Sequence, residues 1–262
     1  MGTPPIRFDD GDAYERFLGI WSGIVGQVFL DWLSPASGQR WADIGCGNGA
    51  FTKLILRRCA PAKLDGIDPS DGQLAYARAR PGIQDAVFRK GDAMALPCAD
   101  ASFDIAVMAL VIHFVPDPAK GVAEMARVVR PGGWVAAYVW DEEGGGSPAQ
   151  PLQTAIVLEG GHDVRPPSTG ASHMDRLLGL WTGAGLRDVG SRVIRVQRTF
   201  DDFESFWSAT SGSGRPKVSL ASLGPEARER VKARVRAALP PDAAGPITYE
   251  AQANAVRGRV PG

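Results

Sequence analysis

The feature that most constrains this chain is the run Asp43-Ile44-Gly45-Cys46-Gly47-Asn48-Gly49, set between a short apolar segment and a helical one. Glycine enters left-handed backbone conformations at no steric cost and lets a ligand approach the main chain closely. Alternate glycines after a strand and before a helix therefore predict a sharp turn that opens on a helix N-terminus. The flanking sequence repeats the same alternation. Arg40–Ile44 reads as a strand, Asn48–Cys59 as a helix and Lys63–Ile67 as a strand. Ser70–Arg80 reads as a helix ended by Pro81-Gly82, Asp85–Arg89 as a strand, and Phe103–Met108 as a strand apolar enough to be covered on both faces. Pro118–Val129 is a predicted helix closed by Pro131-Gly132-Gly133, and Trp134–Trp140 a further strand. Such alternation points to an α/β chain, a doubly wound parallel sheet with helices on both faces. Ligands of such sheets bind beyond the carboxyl ends of the strands.

The remaining segments are less regular. Residues 12–33 place Phe17, Trp21, Ile24, Val25, Val28, Phe29 and Leu33 on one helical stripe, and Ser34-Pro35 ends it. Residues 141–171 are rich in Gly and Pro, with one helical stretch around Leu152–Leu158; a long irregular insert in a compact domain is usually functional. His173–Trp181 reads as a helix. Leu186–Thr199 and Ile247–Arg259 are β-like, with helices over Asp201–Ala209 and Pro225–Leu239 between them. A chain of 262 residues fits one domain, 1–262. Its expected parts are a core of 34–140 and 172–260, an N-terminal helix 12–33, a lid insert 141–171 and a helical insert 201–243.

Charge and cysteine usage narrow the function. Lys plus Arg equals Asp plus Glu at 29 each, so no excess of positive charge suggests a nucleic-acid partner. The basic run Arg228, Arg230, Lys232, Arg234, Arg236 is adjoined by Glu226 and Glu229 and reads as a solvated helix face. Cys46, Cys59 and Cys98 show neither a disulfide framework nor zinc spacing, which fits a reducing compartment. The first residues lack a signal-peptide pattern, and no apolar run approaches the ~18 residues of a membrane span. A cytoplasmic protein is expected.

Three carboxylates sit where strand ends are predicted. Asp43 would oppose a pyrophosphate at the glycine turn but would favour a ligand carrying an ammonium and a sulfonium; the bland alternative is that it caps the turn. Asp68, after the second strand, could accept both ribose hydroxyls, or could cap the next helix, a role Ser70 could equally fill. Gly91-Asp92-Ala93 could read an adenine edge or be a plain turn. Gly45-x-Gly47-x-x-Ala50 followed by Asp68 also satisfies a relaxed dinucleotide fingerprint. These residues alone therefore leave an NAD(P)-dependent oxidoreductase open, although no Tyr-x-x-x-Lys pair is present.

Taken in order, Asp43-x-Gly45-x-Gly47-x-Gly49, Asp68, Gly91-Asp92-Ala93, Phe103-Asp104 and Arg130-Pro131-Gly132-Gly133 resemble the motifs of class I S-adenosylmethionine (SAM)-dependent methyltransferases. The likeness is to the ubiquinone/menaquinone-biosynthesis-like, small-molecule subgroup. It is clear over about residues 38–140 and weaker elsewhere. The resemblance implies a Rossmann-like seven-stranded sheet, mostly parallel with an antiparallel last strand, plus a helical insert or lid. It implies that Asp43 and the turn Gly45, Cys46, Gly47 and Gly49 hold the methionine part of SAM. Asp68 would take the ribose, Pro69 and Gln73 would pack near the adenine, and Asp92 and Ala93 would bind its edge. The backbone of Ala109 and Leu110 would meet the ammonium, and Tyr14 would fold over the cofactor. Ile20 departs from the pattern, since similar proteins tend to carry Arg before the Trp-Ser pair.

SAM carries its own leaving group and yields S-adenosylhomocysteine, so transfer to a small-molecule acceptor needs alignment above all. A base is needed only if the acceptor must lose a proton. His113, after the fourth strand, is the candidate base. Trp140 and Asp141, at the end of the fifth, are candidates for the acceptor pocket. No two histidines have metal-ligand spacing, so no metal is expected, and the cysteines form no thiol cluster of the kind arsenic methylation would use. No Asn/Asp-Pro-Pro-aromatic motif for a flipped base is present. A SAM-binding protein without methylating activity stays open, as does a homodimer.

Overall fold

The apolar segments on either side of the glycine turn lie side by side as parallel strands in the computed structural model, which describes residues 19–212, 214–239 and 245–262. Strand β1 (Arg40–Ile44) pairs in parallel with β2 (Lys63–Asp68) and with β4 (Phe103–Ala109). Strand β3 (Val87–Lys90) adds to β2, and β5 (Val129–Trp140) to β4, also in parallel. Strand β7 (Ile247–Arg259) then inserts antiparallel between β5 and β6 (Arg187–Phe200). The seven-stranded order is β3-β2-β1-β4-β5-β7-β6. The sheet is thus mostly parallel with an antiparallel last strand, as expected, and the carboxyl ends of β1, β2, β3, β4 and β5 share one edge.

Helices cover both faces because their apolar residues recur at helical spacing. In α1 (Ile20–Leu33), Trp21, Val25, Phe29 and Leu33 are buried at every fourth position. Ser34 takes a left-handed C-cap with φ 49°, its N–H bonding the carbonyl of Leu30, and Pro35 follows. Helix α2 (Ala50–Cys59) buries Phe51 and Ile55 on the same side of the sheet as α1. Helix α3 (Asp71–Ala79) is capped by the Ser70 hydroxyl, which accepts from the N–H of Gln73. Helix α4 (Pro118–Val128) starts with Asp117 as cap and Pro118 in its first turn. It packs on the opposite face with α6 (Met174–Gly183).

The structure differs from the sequence reading at three places. The Pro131-Gly132-Gly133 run does not precede β5 but lies within it. Register jumps from Phe103↔Val129 to Ile105↔Trp134, so the glycines form a bulge. Gly133 is required there, because a Cβ would meet the Asp104 carbonyl oxygen at 2.6 Å. Second, an unexpected helix, α8 (Gly214–Ala221), lies between α7 (Phe203–Ser211) and α9 (Pro225–Ala238). Third, the basic face of α9 is solvated, as expected, but its charges are paired. Arg230 and Arg234 both bind Glu159, just after α5 (Gln150–Leu158), and Lys232 and Arg236 both bind Glu204 of α7. Arg228 donates to carbonyls of Leu220, Ala221 and Leu223 at the end of α8. These bonds tie the helices of the insert to one another.

At the amino edge of the sheet a single carboxylate fastens three strands. Asp104 accepts from the backbone N–H and guanidinium of Arg40 at 2.8 and 3.1 Å and from Nε of Arg130 at 2.5 Å. The two guanidinium groups hold its carboxyl well below the usual range. A depressed carboxyl contributes stability that is fully present above about pH 4 and is lost as pH falls below it. Charged hydrogen bonds contribute roughly 1.5–3 kcal/mol each, less where the partners are half exposed, as both arginines are. Asp104→Ala is therefore expected to lower urea stability by about 1–3 kcal/mol at pH 7, with the deficit shrinking at pH 3.

Candidate active site

The glycine turn is built by its neighbours. Gly45, Gly47 and Gly49 have φ of 73°, 52° and 80°, all in the left-handed region. The N–H groups of Gly45 and Cys46 both donate to the carbonyl of Ile67, which folds the turn back onto β2. A Cβ on Gly45 would lie 2.5 Å from both methyls of Val111, so the exits of β1 and β4 touch here. At Gly49 a Cβ would meet Ile83 at 2.7 Å. Gly47 is different: the nearest atom to a Cβ there is Gln73 Oε1, at 3.8 Å. Sterics alone require Gly45 and Gly49; at Gly47 the absent side chain leaves open space.

Asp43 is wholly buried at the end of β1. Its Oδ2 accepts from the Thr52 hydroxyl at 2.6 Å, while Oδ1 is buried without a hydrogen-bond partner. Burial pushes its carboxyl up to about 7; the Thr52 bond opposes this and the charge of Asp68 adds to it. Sequence reasoning did not find Thr52, whose only signal is that it lies one turn into the helix the glycines open. Cys46 is buried, and burial beside Asp43 and Asp68 raises its thiol far above the reactive range. Its part in the turn is its backbone.

Asp68 ends β2, and its carboxylate anchors the turn. Oδ2 accepts from the N–H of Gly47 at 2.9 Å and Oδ1 from the N–H of Ser70 at 2.8 Å. Ser70, not Asp68, caps α3. Burial raises the Asp68 carboxyl, partly offset by those two N–H donors. A carboxylate offers about four acceptor sites, so lone pairs remain for a ligand. Pro69 is exposed beside it, and Gln73 lies one turn into α3 facing the open side of Gly47. Asp92 is exposed, with Oδ1 accepting from the Met94 N–H, and Ala93 is half-buried. Gly91 is held tightly, since a Cβ would meet Pro97 at 2.6 Å and Ile67 at 2.8 Å. The fragment is an ordered turn whose carboxylate faces outward.

Beyond β4, Ala109 and Leu110 are half-buried, and Leu110 holds φ 63°, unusual for a branched side chain. Its N–H donates to the carbonyl of Tyr138 at 2.8 Å. Such strain concentrates at functional sites. His113 follows in a short helical turn, buried at 3% exposure, its Nδ1 unpartnered. Burial holds its imidazole down at about 3, and the charge of Arg215 adds to the effect, so the ring is neutral at physiological pH. At the end of β5, Trp140 is buried edge-to-face against Trp21. Asp141 ties its loop to β7: Oδ1 accepts from the Gly144 N–H and Oδ2 from Gln252, each at 2.9 Å. Next to it, Glu142 and Arg215 of α8, 73 residues apart in the chain, form a nearly buried ion pair at 2.5 Å that no local pattern reveals. Tyr14 lies outside the described residues.

Asp43, the glycine turn, Asp68, Gly91-Asp92-Ala93, Ala109-Leu110 and His113 thus gather along one edge of the sheet. Arg130-Pro131-Gly132-Gly133 and Asp104 fall on the opposite edge. Among the described residues, no group of three or more His, Cys, Asp or Glu side chains is placed to hold a metal ion. No helix among them is long and apolar enough to cross a membrane.

Comparison with known proteins agrees with this geometry. Residues 42–137 match the family model described as a methyltransferase domain. The chain is 30% identical over 218 residues to the ubiquinone/menaquinone biosynthesis C-methyltransferase UbiE of Dinoroseobacter shibae, covering 80% of this chain and 81% of that one. Two solved structures share the fold. A SAM-dependent methyltransferase from Aquifex aeolicus is 21% identical with a TM-score of 0.54, over 72% of this chain and 94% of that one. Phosphoethanolamine N-methyltransferase 2 of Haemonchus contortus, in complex with phosphomonomethylethanolamine and S-adenosylhomocysteine, is 18% identical with a TM-score of 0.58, over 97% of this chain and 58% of that one. The chain belongs to the class I SAM-dependent methyltransferases, in their ubiquinone/menaquinone-biosynthesis-like branch.

Proposed function

We propose that this chain methylates a small-molecule acceptor, with the strand-end residues dividing the cofactor between them as follows. Asp43 and the turn Gly45, Cys46, Gly47 and Gly49 hold the methionyl part. The observation that carries this is the buried, unpartnered Oδ1 of Asp43, on the strand that runs straight into the glycine turn. A buried acceptor without a donor is costly unless a ligand supplies one, and an ammonium answers both the missing bond and the charge. A pyrophosphate would answer neither. Asp68 takes the ribose hydroxyls with its remaining lone pairs, Pro69 and Gln73 flank the adenine, and Asp92 and Ala93 meet its edge. The main chain at Ala109 and Leu110 meets the ammonium from the other side.

When bound, SAM supplies a methyl group already activated by a sulfonium, so the protein's task is alignment and exclusion of water. Asp141 shapes the turn that leaves β5. His113 offers a neutral imidazole; held at about 3, it orients an acceptor O–H better than it strips a proton. Residues 1–262 act as one domain, in which 141–171 and the helices within 201–243 cover the acceptor. The balanced charge and the internally paired basic face of α9 support an acceptor other than nucleic acid. The three free cysteines support a cytoplasmic location, and a homodimer is compatible with it.

Calorimetry tests these assignments. Asp68→Ala, folded by circular dichroism, is expected to weaken S-adenosylhomocysteine binding by about 10- to 150-fold; unchanged affinity removes the ribose assignment. The two glycines separate sterics from ligand approach. Gly45→Ala is expected to lose more than ~1 kcal/mol of stability through contact with Val111. Gly47→Ala meets no neighbour and bears only the left-handed backbone strain, so it is expected to stay folded with a loss of about 1 kcal/mol, yet to bind S-adenosylhomocysteine at least roughly ten-fold more weakly. Equal binding by Gly47→Ala would move the cofactor away from the turn.

A further inference from the structure

A hydroxyl inside a helix commonly bonds the carbonyl three or four residues back. This fold uses that bond repeatedly: Thr182 donates to the carbonyl of Leu178, Thr210 to that of Phe206 and Ser211 to that of Trp207, at 2.9, 2.7 and 2.7 Å. Thr52 departs from it. It is the third residue of α2, and the carbonyl four back belongs to Asn48, outside the helix, where it accepts from Arg80 at 3.3 Å. The Thr52 hydroxyl turns to the strand instead and donates to Asp43 Oδ2 at 2.6 Å. Both side chains are wholly buried.

That bond does two things to the carboxylate. It fixes the rotation of the group, with Oδ2 toward α2 and Oδ1 left without a partner. It also favours the ionised form, which burial and the negative charge of Asp68 on β2 both disfavour. The other charged groups around Asp43 give no such help. In the turn, the buried Cys46 thiol stays protonated. From β4, Val107 lies opposite Asp43 and is apolar. On the face covered by α1 and α2, Asp31 and Arg58 pair with each other at 2.6 Å near the surface, Arg57 is exposed, and Lys53 reaches toward Gly82. Among the described residues, a neutral hydroxyl is what the protein sets against the cost of ionising Asp43.

We infer that Thr52 is a positioning residue for cofactor binding: its hydroxyl orients the Asp43 carboxylate in its ionised form and leaves Oδ1 for the ammonium. This rests on the cofactor assignment proposed above and adds the group that regulates it; Thr52 acts through Asp43. The consequence is a proton-linked site. The free carboxyl titrates at about 7, and a cation at Oδ1 binds its ionised form. Below that pH the chain must therefore release a proton to the buffer as the cofactor binds, and affinity falls as pH drops; well above it no proton is released. Without the hydroxyl the midpoint moves up by about one pH unit or more, so more of the chain starts protonated at pH 7.

The experiment compares the full wild-type chain with Thr52→Val, which keeps the shape and loses the hydroxyl, and with Thr52→Ser, which keeps the hydroxyl. Thr52→Ala, which cannot overpack, replaces the Val variant should that chain not fold by circular dichroism. S-adenosylhomocysteine is titrated by calorimetry at about pH 6, 7 and 8.5, in two buffers of different ionisation enthalpy so that protons are counted. Wild type and Thr52→Ser are expected to release about one proton at the lowest pH and close to none at the highest. Thr52→Val should bind about five-fold or more weakly than wild type at pH 7, recover to within about two-fold at the highest pH, and release nearly a full proton at pH 7 where wild type releases about half. Three outcomes overturn the inference: a deficit in Thr52→Val that is the same at every pH, which is a packing role; wild-type affinity and proton release in Thr52→Val; or a Thr52→Ser that behaves as the Val variant. Each leaves the cofactor assignment standing. Failure of the wild type to bind S-adenosylhomocysteine at any pH, or Asp43→Asn binding as tightly as wild type at the highest pH, would instead remove that assignment, and this inference with it.

Discussion

A carboxylate taken out of water with half of its hydrogen-bonding capacity unmet is the constraint around which this structure is arranged. Asp43 is held at the end of β1, between β2 and β4, by parallel pairing on both sides. Nothing in the sheet requires an acid there, and an apolar residue would pack at lower cost. The raised carboxyl means that the free protein loses stability as pH climbs from the ordinary carboxylate range toward about 7. On the proposed assignment, a ligand cation at Oδ1 would reverse that loss. The Thr52 hydroxyl holds the other oxygen, and the Asp68 carboxylate anchors the glycine turn that follows.

The two edges of the sheet divide the sequence motifs by task. At the carboxyl edge, side chains and amides are left with spare valence: Asp43 Oδ1, the lone pairs of Asp68, His113 Nδ1. At the amino edge, Asp104 is saturated by Arg40 and Arg130, and Trp181 closes on Val135. Motifs adjacent in a family pattern therefore differ in kind. Asp43 and Asp68 keep acceptor positions unfilled; Asp104 and the Arg130–Gly133 bulge hold strands together. The helical insert joins the two functions, since α8 reaches the loop after β5 through the Arg215–Glu142 pair while α9 holds α5 and α7 by ion pairs.

Much of this was legible in the residues. Strands β1 and β7 match their expected bounds, because alternation, β-branched content and turn residues agree there. The strand-end carboxylates were legible because topology puts every parallel strand end on one edge. What was not legible depends on contacts distant in sequence. The bulge in β5 arises from the close approach of Gly133 to the backbone of Asp104, which no local pattern reveals. Helix α8 is short and carries a proline near its start, so its periodicity is too brief to read. The basic run on α9 is solvated as read, but its ion pairs were not legible because Glu159 and Glu204 lie 71 and 28 residues from the side chains they pair with. The bond that Asp141 accepts from Gln252 was not legible either, since the two lie 111 residues apart.

The central claim is that Asp43 Oδ1 receives the ammonium of the cofactor, and its own carboxyl carbon reports on this most directly. In ¹³C-labelled protein, assigned by Asp43→Asn, the Asp43 carboxyl is predicted to titrate with a midpoint near 7 when free. Saturation with S-adenosylhomocysteine should drive that midpoint down by more than about one unit, because a nearby cation favours the ionised form. A midpoint that S-adenosylhomocysteine leaves unmoved, or raises, would contradict the account.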